Sequence, residues 1–151
     1  SKWGGHGESV LAAIEGERRR GLADLSTYRR FEAAVKQNRE ELRALLRRLR
    51  DEGRTVAGYG APAKGNTLLN YCGIGPELLA FTVDKNPMKV GLYTPGMHIP
   101  VLPVEALLER QPDYVLMLAW NFAGEILRQQ ATYRSRGGRF ITPVPLPEIL
   151  A

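Results

Sequence analysis

Arg54-Thr55-Val56-Ala57-Gly58-Tyr59-Gly60-Ala61-Pro62-Ala63-Lys64-Gly65-Asn66-Thr67 decides the fold. Its first six residues read as a short buried strand. A glycine turn follows, and Pro62 opens a helix running to Tyr71. Beyond it the rhythm repeats. Residues 79–84 and 98–102 read as strands with a Pro- and Gly-rich loop between them, and residues 104–110 as a helix. Residues 113–118 are apolar at successive positions, as a strand covered on both faces requires. A helix over 122–136 stops at Gly137-Gly138, and residues 139–143 supply one more strand. Strands alternating with helices through short loops predict an α/β, Rossmann-like, doubly wound parallel sheet of about five strands.

Upstream, Tyr28, Phe31, Val35, Asn38, Leu42, Leu45 and Leu49 recur at spacings of three and four. They predict a long helix over 26–52, with one stripe facing the sheet or another domain. Residues 1–25 are expected to be a poorly ordered lead-in or linker. Residues 26–151 then form one Rossmann-like domain with its α/β core at 54–143. The lack of an initiator Met suggests processing or a cut from a longer protein.

Charge narrows the partners. The chain carries +5 overall, with 12 basic against 8 acidic residues over 15–54 and 8 against 7 from Thr55 onward. The excess lies on the helical region, where both signs alternate and no aromatic ladder accompanies them. That is a solvated helix face and not a nucleic-acid stripe. No apolar run reaches the roughly 18 residues of a membrane span. One cysteine, Cys72, fits a reducing, cytoplasmic setting and reads as core.

In such a sheet, ligands gather beyond the carboxyl ends of the strands where strand order reverses. Gly58 is expected to take the tight turn, and Gly60 to let backbone approach a phosphate. The helix that follows offers unpaired N–H groups and a positive dipole end. Lys64 in that first turn opposes the dipole, a cost that a bound anion would offset. Asp84, closing the second strand, stands where an acidic residue can hold a ribose hydroxyl or cap the turn Asp84-Lys85-Asn86-Pro87. Trp120 and Asn121 follow the fourth strand and should reach the same edge. There they can stack on a ring, bond a hydroxyl or cap a helix. His98 lacks a visible partner. No metal-binding spacing and no self-contained catalytic set are present.

The run Gly58 to Asn70, with Phe81-Thr82-Val83-Asp84-Lys85-Asn86-Pro87, Pro95-Gly96-Met97-His98-Ile99-Pro100, Trp120-Asn121 and Gly137-Gly138-Arg139-Phe140-Ile141, resembles a known family. It is similar to the C-terminal domain of SAM-dependent sugar C-methyltransferases, which branch deoxysugars carried on a nucleoside diphosphate. The resemblance covers about residues 28–145. It departs at Ala119, where proline commonly precedes Trp-Asn, and at Met97, where threonine is common. It implies a parent chain with an N-terminal domain and a central methyltransferase domain that binds SAM; no cofactor is expected on this chain. Carried over residue by residue, it implies that Gly58, Tyr59, Gly60, Ala61, Pro62, Ala63, Lys64, Gly65, Asn66 and Thr67 line the nucleotide-sugar, with Asp84, Lys85, Trp120 and Asn121 nearby. Two other readings compete: a stand-alone NAD- or CoA-type binding module, and an interaction domain whose long helix docks on a partner.

Overall fold

The computed structural model describes residues 6–150. They divide into two compact units, with the boundary between Gln37 and Asn38.

In the first unit a helix, α1, runs His6–Arg19, and a second, α2, begins at Leu25. Gly21 at φ +68° makes the turn between them, and the Tyr28 hydroxyl donates to the Leu22 carbonyl at 2.7 Å. A lead-in or linker was expected over residues 1–25, and its described part is helical over His6–Arg19. Glycines at 4, 5 and 7 suggested irregular chain, but residues 8–19 contain only one more, Gly16. Alanines, leucine and alternating charges there carry good helix propensity. Residues 1–5 of that stretch lie outside the described residues.

In the second unit, α2 continues to Asp51. Then come β1 (Val56–Tyr59), α3 (Ala63–Cys72), β2 (Thr82–Val83), β3 (Val101–Leu102), α4 (Ala106–Arg110) and β4 (Tyr114–Met117). A 3-10 turn at Trp120–Phe122 leads to α5 (Ala123–Gln129), α6 (Ala131–Ser135), β5 (Arg139–Thr142) and β6 (Glu148–Leu150). The sheet order is β3-β2-β1-β4-β5-β6, parallel except for β6. The fold is thus Rossmann-like, as the strand–helix alternation predicts. The sixth strand was not expected. The core was expected to end at residue 143, whereas the chain turns back beyond it and pairs Leu150 with Phe140.

Successive strand residues alternate between two cores. Val56, Leu116 and Ile141 face α2 and α3, joining Leu42, Leu46, Leu49, Leu69 and Cys72. Ala57, Tyr59, Val115, Met117 and Phe140 face the other way, onto Ala106, Leu107, Ile126 and Tyr133. The α2 stripe is shifted from the expected one: Leu46 is fully buried while Leu45 only flanks the core, and Tyr28 and Phe31 are exposed. The helix expected over 122–136 is interrupted at Gln130 (φ −98°, ψ 27°), whose buried amide faces the Tyr59 hydroxyl at 3.5 Å.

Asn38 is the polar member of the buried stripe. Its amide donates to the carbonyls of Pro143 (2.6 Å) and Pro145 (2.9 Å), tying α2 to the turn before β6. Asn38→Ala should cost about 1–2 kcal/mol in a urea titration, because it strands buried carbonyls. An unchanged midpoint would show that water replaces the amide freely.

Candidate functional site

Because the chain leaves β3 at one edge and re-enters the sheet as β4 on the far side of β1, strand order reverses between β1 and β4. The carboxyl ends of these two strands therefore splay apart, and a cleft opens at the switch point. It has a volume of about 260 Å³. Tyr59, Gly60, Pro62, Asp84 and Lys85 line one side, and Phe122, Glu125, Ile126 and Gln129 the other.

The glycines divide their work differently from the sequence reading. Gly58 does not turn; it lies inside β1, and a Cβ there would stand 2.6 Å from the Thr82 hydroxyl. Gly60, at φ +89°, takes the turn. Gly65 lets α3 close on β4, since a Cβ would come within 2.8 Å of the Leu118 Cβ and 3.2 Å of its carbonyl. Gly58 and Gly65 are both buried and shape the turn from behind. Pro62 immediately precedes α3, and no side chain caps that helix.

Lys64 reaches across the switch point. Its ammonium hydrogen-bonds the Asn121 amide oxygen and stands 4.4 Å from the centre of the Trp120 ring. The three residues that sequence spacing placed at one edge are therefore in contact. Lys85 makes a second crossing, to Gln129 and, at 3.8 Å, Glu125. Both lysines bridge the β1–β2 side of the cleft to the segment after β4.

Asp84 is largely committed to the protein. One carboxylate oxygen accepts the Ala61 N–H at 2.7 Å and the Lys89 ammonium at 3.1 Å; the other accepts the Asn86 N–H at 2.9 Å. The turn-capping role is thus present, and spare lone pairs remain for a ligand hydroxyl. Burial pushes this carboxyl up, but the two N–H donors and Lys89 together outweigh it and hold it below the usual carboxylate range. A depressed folded-state pKa adds stability above the unfolded value near 3.9, and that contribution disappears as pH falls through the folded value. Asp113 behaves alike, held low first by the Thr55 N–H. Asp84→Asn should therefore flatten, without abolishing, the fall of melting temperature below about pH 4. An unaltered acid limb would remove Asp84 from this role.

The remaining expected residues are dispersed. Ala61 and Asn66 face a separate cavity of about 230 Å³ beside Lys89, Leu92 and Tyr93. Ala63 and Thr67 lie exposed on α3. Sequence reading missed Phe122, Glu125, Ile126 and Gln129. Their spacing of three and four directly after Trp120-Asn121 carried the signal, since it sets them on one helical face. Burial raises the thiol of Cys72, at the end of α3, and the phenol of Tyr59, in the cleft wall.

A family model described as the C-methyltransferase C-terminal domain matches residues 3–145. The chain belongs to this family. The family match begins well before Tyr28, where the resemblance read from motifs began, and so takes in the α1 segment. Among curated proteins, the chain is 40% identical over 143 residues to the C-methyltransferase NovU of Streptomyces niveus. The alignment takes in 95% of this chain and 34% of NovU, so this C-methyltransferase C-terminal domain spans about a third of that relative's length.

Proposed function

We propose that this domain holds a nucleoside-diphosphate sugar at the β1–β4 switch point while another part of a parent chain binds SAM and transfers the methyl group. The observation that carries the reading is Lys64, set on the first turn of α3 against Trp120 and Asn121, beside the Gly60 turn. The diphosphate is placed over that turn, within reach of the first N–H groups of α3 and of Lys64 and Lys85. The cleft, at about 260 Å³, falls just below the roughly 300–1,000 Å³ of complete small-molecule sites. It suits one nucleoside better than a dinucleotide, with Phe122 as a stacking face and Glu125 and Gln129 as polar readers. Of the fourteen residues assigned to the ligand, Gly58 and Gly65 act by shaping the turn. Tyr59, Gly60, Pro62, Lys64, Asp84, Lys85, Trp120 and Asn121 stand at the cleft or across its edge.

SAM supplies an electrophilic methyl group when bound. This chain's part is orientation, which converts binding energy into rate at the reacting carbon. With SAM held by another part of the parent chain, the isolated domain is expected to bind without turnover. No helix among the described residues is long and apolar enough to cross a membrane. With its buried single cysteine, we place the protein in the cytoplasm.

Thermal unfolding with dTDP, a dTDP-hexose, NADH, CoA and SAM tests the reading. A ligand at 100 times its Kd stabilises the fold by about 2.7 kcal/mol. Stabilisation by the dTDP compounds alone is expected. A response confined to NADH or CoA would replace this proposal with the dinucleotide module.

A further inference from the structure

Fourteen large apolar side chains are exposed among the described residues, and half of them fall between positions 10 and 31. On α1 they are Val10, Leu11 and Ile14, one helical stripe by their spacing. Leu25, Tyr28 and Phe31 follow at intervals of three on α2; Leu11 is 67% and Phe31 68% exposed. Such a concentration in one short helix–turn–helix segment exceeds the scattered exposure normal for a soluble surface. Interleaved with them along the chain are charges of both signs, Glu8, Glu15, Glu17 and Glu32 with Arg18, Arg19, Arg29 and Arg30. A membrane-surface helix would carry a mostly basic polar face. Exposed apolar side chains among charges of both signs suit a protein interface better.

We infer that this helix–turn–helix segment is the docking surface for the part of a parent chain that precedes the domain. The inference rests on the family, not on the ligand reading. The family match begins at residue 3, so the segment belongs to the domain and is not an appended tail. NovU has about two-thirds of its length outside the alignment. In a protein laid out in that way, the preceding chain enters directly at α1. A covalently joined neighbour acts at millimolar effective concentration, an advantage that a second copy lacks.

The test joins the upstream portion of NovU, the part outside the alignment, to residue 3 of this chain. Amide hydrogen exchange is then compared over residues 8–31 in the fusion and in the 151-residue chain alone. Docking should slow exchange there by about tenfold, a modest part of the protection a buried element can reach. The double variant Leu11→Ser, Phe31→Ser should restore the rate of the free chain. Both sites are exposed, and in the 151-residue chain alone the same double variant should leave exchange over residues 8–31 unchanged, which shows that the segment itself remains folded. Equal exchange in the fusion and the free chain overturns the proposal, as does protection that survives the double variant. If the free chain is already protected and sediments as a dimer, the occupant is a second copy and the proposal is again wrong.

Discussion

Lys64→Met should weaken dTDP binding by roughly 10- to 150-fold, the 1.5–3 kcal/mol typical of a hydrogen bond to a charged group. The free protein should melt within a few degrees of the parent. Removing the ammonium gives up its hydrogen bond to Asn121 and its contact with Trp120, the latter worth about 0.5–1 kcal/mol at an exposed site. It also relieves a cation from the first turn of α3, worth about 0.3–1 kcal/mol. The two changes oppose each other, so the loss concentrates on the ligand. Calorimetric titration alongside a melting curve separates them. A large drop in stability with unchanged affinity would make Lys64 a structural strut and remove it from the phosphate site.

Gly58→Ala should destabilise the fold by about 2–4 kcal/mol, through overpacking and a lost buried hydrogen bond together. The added methyl would meet the Thr82 hydroxyl at 2.6 Å, its Cβ at 2.9 Å and Leu79 at 3.1 Å. Thr82 is fully buried, and its hydroxyl donates to the Gly60 carbonyl at 2.9 Å. Moving it aside therefore also breaks the bond that sets the turn. At about 2–4 °C per kcal/mol for a chain of this size, melting should fall by roughly 5–15 °C. Ligand affinity measured well below the melting point should fall as well, since Gly60 loses its anchor. A melting temperature within 2 °C of the parent (~1 kcal/mol or less) would mean that β1 and β2 separate easily, contrary to their pairing here.

The order of strands and helices was legible because each parallel strand is covered on both faces, so its apolar run stands out from its polar neighbours. The position of the turn was legible for the same reason, as the glycines follow such a run directly. The separate duties of Gly58 and Gly60 were not. Both suit a turn locally, and only the pairing of β1 with β2 shows that Thr82 occupies the space beside Gly58. Leu45 and Leu46 fit a helical stripe almost equally well, and the choice between them depends on how α2 lies on the sheet. β6 escaped notice because three prolines in five residues mask a return that only pairing with β5 stabilises. Glu125 and Gln129 are polar residues on a helix with no local mark of a site; the switch point makes their face a cleft wall.

Titrating dTDP into the 15N-labelled chain and following backbone amides tests the central claim most directly. Saturable shifts should centre on Gly60, Ala61, Ala63, Lys64 and Gly65, and on Trp120 to Phe122 across the cleft. Saturable shifts that leave these amides unmoved, or fall instead on the Arg134–Arg139 turn at the opposite edge of the sheet, would contradict a nucleotide site at the switch point.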